Sequence, residues 1–152
     1  MTLELRAVAW DDADGAPLRA DQEAEVVVRY GVPDAEPGPA PTAESMTVFV
    51  VAYDDGTAVA CGGLRALDDV HGEVKRMFVT PAARGRGISK LVLRDLERRA
   101  RELGWERLLL ETGELQPEAM SLYERAGYTA IPAFGYYVGN AQSRCYAKEL
   151  VE

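Results

Sequence analysis

The sequence predicts an α/β chain, more closely an α+β arrangement in which helices cover a central mixed β-sheet of about six or seven strands. Three observations carry this. Two apolar runs flank Asp54-Asp55-Gly56, a hairpin signal. After them, short strand-like runs alternate with segments of helical periodicity, the order that sets strands side by side across a helix. The composition, 47% hydrophobic and 28% charged over 152 residues, is that of an ordinary globular protein, and residues 1–152 read as a single domain.

Leu3 to Trp10 places Leu3, Leu5, Ala7 and Ala9 at alternate positions, so a first strand is expected there. Pro17 to Tyr30 reads as a helix with Leu18, Val26 and Tyr30 inward and acids outward. Val32 to Ser45 holds Pro33, Pro37, Pro39 and Pro41, which predicts an irregular segment. Thr47 to Tyr53 and Thr57 to Ala66 form the hairpin, and Asp68 to Gly72 turns the chain into a strand over Glu73 to Val79. Beyond the glycines at 85 and 87, apolar residues at 88, 91, 92, 96, 100 and 103 line one helical face that Gly104 ends. Arg107 to Glu111 is a short apolar run flanked by charge, as a central strand should be. Pro117 opens another helix carrying Ala119, Leu122, Tyr123 and Ala126 on one face, and Gly127 stops it. Tyr128 to Pro132 and Ser143 to Leu150 are the last strands, joined by a loop with Phe134, Tyr136 and Tyr137.

Composition excludes several function classes. The net charge of -8 argues against nucleic acid as a partner. No apolar run approaches the ~20 residues of a membrane helix, so no membrane partner is expected. The N-terminus lacks a basic stretch followed by an apolar core, and a cytoplasmic location is expected. Cys61 and Cys145 fit no zinc or redox spacing, so no metal is expected and both thiols should be free. The charge is uneven: ten of the 17 basic residues lie between Lys75 and Arg107. Residues 11 to 36 hold eight acids against Arg19 and Arg29 alone. The basic segment suits an anionic ligand, and the acidic one suits a neutral or cationic acceptor.

Chemistry concentrates in residues 74 to 93. A strand runs through Pro81 into a glycine-rich bend that opens directly onto a helix. Gly85 and Gly87 let the backbone approach a ligand, and the first amides of the helix have no partner within it. Arg84, Arg86 and Lys90 add positive charge at the same point, so a phosphate or pyrophosphate is the natural occupant. The familiar phosphate loops do not fit. A dinucleotide fingerprint would need glycine where Lys90 stands, and a nucleoside-triphosphate loop would need Lys where Ile88 stands. A nucleophile elbow would need glycine where Leu91 stands.

Arg84-Gly85-Arg86-Gly87-Ile88-Ser89 resembles the coenzyme A signature of the GNAT superfamily of N-acetyltransferases, Arg/Gln-x-x-Gly-x-Gly/Ala, with Ser89 in the last small-residue position. A second block, Gln116 to Tyr128, resembles the family's Asn-x-x-Ala-x-x-Leu-Tyr-Glu-x-x-Gly-Phe, with Gln116 in place of Asn. The resemblance implies the GNAT fold, in which the fourth and fifth strands splay apart around the pantetheine arm of acetyl-coenzyme A. It implies that Met77, Phe78 and Val79 offer backbone groups to that arm and that Arg84, Gly85, Arg86, Gly87, Ile88, Ser89 and Lys90 take the pyrophosphate. Gln116 joins the cofactor site, and Tyr123 is expected to touch the coenzyme sulfur and hand it a proton.

The expected reaction moves acetyl from acetyl-coenzyme A to a primary amine of a small molecule or peptide, by direct attack in a ternary complex. Glu73, at the start of the cofactor strand, and Glu111, at the end of its neighbour, are the candidate bases; Glu73 is preferred because it precedes the strand that presents the acetyl group. His71 sits in an apparent turn and neither cysteine has a partner histidine nearby, so a covalent acyl-cysteine route has little support. Phe134, Tyr136 and Tyr137 lie where the family often closes its acceptor pocket. Two alternatives stay open: a coenzyme A-binding sensor or scaffold without catalysis, and transfer of a longer acyl group. A homodimer is compatible with the sequence.

Overall fold

The computed structural model describes residues 2 to 31 and 37 to 150. Seven strands, β1 (Leu3–Ala7), β2 (Val48–Asp54), β3 (Thr57–Ala66), β4 (His71–Val79), β5 (Arg107–Gly113), β6 (Thr129–Ile131) and β7 (Ser143–Glu149), form one sheet in the order β1-β2-β3-β4-β5-β7-β6. Three helices, α1 (Gly15–Tyr30), α2 (Ile88–Glu102) and α3 (Pro117–Arg125), flank it. Only the β4–β5 pair is parallel. This is the expected mixed sheet with helices on both faces.

Strands β2 and β3 read as near-continuous apolar runs because both of their faces are covered. Val50, Ala52, Ala60 and Leu64 face a core built with α2, whereas Phe49, Val51 and Cys61 face Leu18 of α1 and Phe78. The hairpin turns at Asp55 and Gly56, whose φ values of 49° and 85° give the doubly left-handed turn that matches strand twist. Helix α2 buries Ile88, Val92, Leu93, Leu96 and Ala100. Leu93 completes that face, and Leu91, expected inside, is 37% exposed. Glu97 lies on the same buried face, where the Tyr128 hydroxyl donates to it at 2.8 Å and Lys148 Nζ at 3.1 Å. A buried charge needs such partners.

Four boundaries differ from expectation by two residues or more, the last being β5, which continues past Glu111 to Gly113 through its pairing with β7. The first strand stops at Ala7, because the Trp10 ring stacks edge-on against Phe49, 5.0 Å between centroids, and turns the chain into α1. Helix α1 starts at Gly15, because Asp12 Oδ2 accepts the Asp14 and Gly15 amides before the first turn. Pro17 then falls inside that turn, where its missing N–H costs nothing. Strand β4 starts at His71, whose backbone pairs with Arg107.

Two irregularities of β4 shape the cleft. Its parallel pairing with β5 runs only from His71↔Arg107 to Val74↔Leu110, so beyond Val74 the two strands part. One residue later the ladder with β3 slips: Cys61 pairs with Phe78, but Gly63 pairs with Lys75. Arg76 is the extra residue, held at φ 60°. A bulge inserts one residue and so breaks the in–out alternation. Lys75 and Arg76 therefore both face the α1 side of the sheet, as their contacts with Tyr137 and Gln22 show. Met77 resumes on the α2 side against Gly62, and Phe78 returns to the α1 side.

Candidate active site

Where β4 leaves β5, a cleft of about 760 Å³ passes through the sheet. Its walls come from both faces. On the α2 side they include Met77, Gly85, Gly87, Ser89 and Tyr123; on the α1 side they include Gln22, Glu25, Lys75, Arg76 and Glu111. The size is that of a small-molecule site.

The glycine-rich bend forms the outer end on the α2 side. Gly85 and Gly87 take φ values of 81° and 76°, which residues with side chains rarely adopt. A Cβ at either position would meet nothing within 4 Å, so the space in front of the bend is open to a ligand. Among the described residues the amides of Gly85, Arg86 and Gly87 donate no backbone hydrogen bond, and Ile88, Ser89 and Lys90 supply the first-turn amides of α2. Unpaired amides at a helix start suit an anion. The three cations of this segment behave differently from one another. Arg84 lines the cleft, donates from Nε to the Val79 carbonyl at 3.0 Å and pairs with Glu25 of α1 at 2.6 Å. Arg86 turns to Asp54 of the hairpin, also at 2.6 Å, and together with Lys90 lies outside the cleft lining.

Met77, Phe78 and Val79 line the inner wall, as does Gln116 at the start of α3. Tyr123, about two turns further along α3, is 6% exposed and packs edge-to-face on Tyr128 with centroids 5.8 Å apart. Its hydroxyl makes no hydrogen bond among the described residues. Burial, with the nearby Glu111 charge adding to it, raises the phenol above its ordinary value, so it holds its proton at neutral pH.

On the α1 face the two candidate carboxylates occupy different places. Glu111 lines the cleft, and Ser143 Oγ donates to it at 2.7 Å. Burial raises its pKa above the carboxylate norm, partly offset by that hydrogen bond and by Lys75. Glu73 is 1% exposed and lies behind the cleft wall. It accepts from Arg65 at 2.7 Å and from the Tyr137 hydroxyl at 2.6 Å, and Lys75 Nζ donates to Tyr137 at 3.0 Å. Burial pulls the Lys75 pKa down to about 8 and pushes Tyr137 upward. Arg76 donates to Gln22 Oε1 at 3.1 Å and lies 3.8 Å from a Glu23 oxygen.

Other sequence candidates fall elsewhere. His71 bonds Asp68 at 2.8 Å, away from the cleft. Cys61 and Cys145 are free and buried, and burial raises the Cys61 thiol to about 12. Tyr137 is buried against Phe134, whereas Tyr136 is 66% exposed.

A family model described as the acetyltransferase (GNAT) family matches residues 16–128. The chain belongs to that family. GNAT members are acyltransferase enzymes, and an IAA acetyltransferase of Azospirillum brasilense is 45% identical over 91 residues, 59% of each chain. The chain thus spans about three-fifths of the length of that relative. An N-acetyltransferase of Bacillus subtilis, described as uncharacterized, is 34% identical over 104 residues, 67% of this chain and 69% of the other. Among solved structures, a Klebsiella pneumoniae protein described as a candidate acyl-CoA N-acyltransferase superposes with a TM-score of 0.84 at 28% identity, covering 99% of both chains. A GNAT acetyltransferase of Elizabethkingia anophelis, solved with acetyl-CoA bound, shares the fold with a TM-score of 0.71 at 15% identity over 97% of each chain.

Within this GNAT chain, sequence reasoning missed Lys75, Arg76 and Ser143 as parts of the site. The signal for the first two was present: adjacent cations in a strand that otherwise reads as apolar. Ser143 carried none, since it reaches Glu111 only through the β5–β7 ladder.

Proposed function

We propose that the chain is an N-acetyltransferase that moves acetyl from acetyl-coenzyme A to a primary amine by direct attack. The observation that carries this is the through-sheet cleft, with unpaired loop amides at one end and the raised carboxylate of Glu111 on the opposite face. The pyrophosphate would rest on the amides of residues 84 to 89, and the pantetheine arm would lie along Met77 to Val79. The acceptor would enter from the α1 side, since the cofactor fills the other. A small acceptor fits the name of the Azospirillum relative.

In the reaction the amine nitrogen bonds to the thioester carbonyl carbon and the carbon–sulfur bond breaks. The ammonium must first lose a proton, and Glu111, which lines the cleft, would take it rather than Glu73, which lies behind the wall. A carboxylate with a raised pKa is the better base at neutral pH. Glu73 already accepts from Arg65 and Tyr137 behind the wall, which suits it to positioning. The departing thiolate takes its proton from the Tyr123 hydroxyl, and the second proton that the nitrogen loses as the amide forms passes through solvent to restore the phenol. Thiol release from acetyl-coenzyme A, followed across a panel of amines, tests the proposal. Tight coenzyme A binding with no release on any amine would instead support the non-catalytic sensor, and preference for longer thioesters would support longer acyl transfer.

A further inference from the structure

Helix α2 carries one carboxylate on the face it turns to the core. Glu97 is 4% exposed among Val92, Leu93, Leu96 and Ala100, where an apolar residue would avoid the cost of burying a charge. Two other parts of the chain supply its partners. The Tyr128 hydroxyl donates to Oε2 at 2.8 Å, and Lys148 Nζ of β7 donates to Oε1 at 3.1 Å and to Oε2 at 3.2 Å. Lys148 Nζ also donates to the Ala126 carbonyl at 2.9 Å, so the same ammonium holds the C-terminal end of α3. Tyr128 lies just past that end, buried, with its ring edge-to-face on Tyr123. Its amide donates to the Tyr123 carbonyl at 3.0 Å, a second tie between the two residues. The Tyr123 hydroxyl makes no hydrogen bond among the described residues, so packing alone aims that phenol at the cleft it lines.

We propose that Glu97, Tyr128 and Lys148 form a buried brace that positions the Tyr123 phenol. The inference rests on the reading that Tyr123 hands its proton to the coenzyme sulfur. A phenylalanine at position 128 would fill nearly the same space, but packing alone would hold its ring. The bond to Glu97 instead ties the Tyr128 ring, through its hydroxyl, to a helix that Val92, Leu93 and Leu96 anchor in the core. That ring in turn backs Tyr123. Misplacing a reacting group by about 1 Å costs roughly 100-fold in rate, so a slack brace would be felt in turnover. None of the three residues lines the cleft, so each acts through Tyr123 as a positioning residue.

The test uses the whole chain carrying isotope-labelled tyrosine and saturated with coenzyme A. NMR reads the Tyr123 ring directly, its signal identified by its absence from Tyr123→Phe. Glu97→Leu leaves the Tyr128 ring in place and removes only its anchor. The Tyr123 signal should then broaden or split, while circular dichroism and coenzyme A affinity stay as in the wild type. Glu97→Gln keeps an oxygen for the hydroxyl and should restore the single signal. Tyr128→Phe, in which Lys148 still pairs with Glu97, reads the same signal if Glu97→Leu does not fold. With an amine that supports thiol release, Tyr128→Phe should lower kcat roughly 10- to 100-fold and change the KM for acetyl-coenzyme A by less than about twofold. Made on Tyr123→Phe, the same substitution should cost nothing further, because no phenol is left to aim. A Tyr123 signal that neither Glu97→Leu nor Tyr128→Phe alters overturns the inference, as does a Tyr128→Phe loss that persists in full on Tyr123→Phe. An altered signal beside full turnover in Tyr123→Phe would overturn the acid and leave the brace standing. An unaltered signal beside the expected loss in Tyr123→Phe would do the reverse.

Discussion

The two ends of the cleft are built from different materials. The α2 end is made of backbone: glycines with positive φ, unpaired amides and the start of a helix. The α1 end is made of side chains from distant stretches, with Gln22 and Glu25 from α1, Lys75 and Arg76 from β4 and Glu111 from β5. A ligand gripped by main chain demands glycine at fixed spacing, whereas a ligand gripped by side chains asks only that the fold bring them together. The first end therefore leaves a motif in the sequence and the second does not.

The contrast can be broken most severely at Tyr123, the proposed acid between the two ends. Tyr123→Phe keeps the ring against Tyr128 and loses no hydrogen bond among the described residues, so folding and coenzyme A affinity should survive. The turnover number should fall roughly 100- to 10,000-fold, the usual range for a general acid. Stopped-flow thiol release checks this, and a loss of only a few-fold would reduce Tyr123 to a core residue.

Next comes Glu111→Gln, with turnover expected to fall about 100-fold or more. The base must be deprotonated, so kcat/KM should rise with pH through the raised Glu111 pKa, giving an acidic limb above the ordinary carboxylate range. That limb should vanish in the variant. Glu73→Gln should instead leave the limb in place and cost about 2 kcal/mol in denaturant unfolding, through its lost pairing with Arg65 and Tyr137. The opposite result would return the base to Glu73.

Gly87→Val tests the backbone end. Its Cβ would meet no protein atom, but a β-branched residue at φ 76° is strained, so circular dichroism must show that the variant folds before affinity is compared. Calorimetry should show coenzyme A affinity reduced roughly 10- to 100-fold, as blocked amides lose a charged acceptor. The smallest effect is expected from Arg86→Ala. That guanidinium serves the hairpin through Asp54 and lies outside the cleft, so affinity should change by less than about fivefold. A larger loss would show that Arg86 swings to the ligand.

Most of the fold was legible because β2, β3, α2 and β5 carry strong periodicity and firm glycine punctuation. The first strand and first helix were misjudged at their junction, where the Trp10 packing and the Asp12 cap are tertiary and local details that periodicity does not register. At the site, the positions of Arg84, Gly85, Gly87, Ile88, Ser89 and Tyr123 on the cleft followed from two short motifs, whereas Arg86 of the same motif lies outside it. The relative placement of Glu73 and Glu111 did not. Glu73 pairs with Leu109, two residues before Glu111, and only the length of the β4–β5 ladder decides which carboxylate meets the opening. The bulge was equally silent, since nothing in Lys75-Arg76-Met77 announces a positive φ.

That bulge makes Arg76 a supernumerary residue. The sheet on either side of it is regular, with Lys75 opposite Gly63 and Phe78 opposite Cys61, and would close up if it were absent. Holding a non-glycine residue at φ 60° costs on the order of 1–3 kcal/mol, so the ladder carries a standing debt at this one position. Excising Arg76 outright would thus keep every neighbouring side chain on its present face and relieve the strain. A shortened chain that is more stable would mark Arg76 as a residue the cleft keeps and the fold does not need.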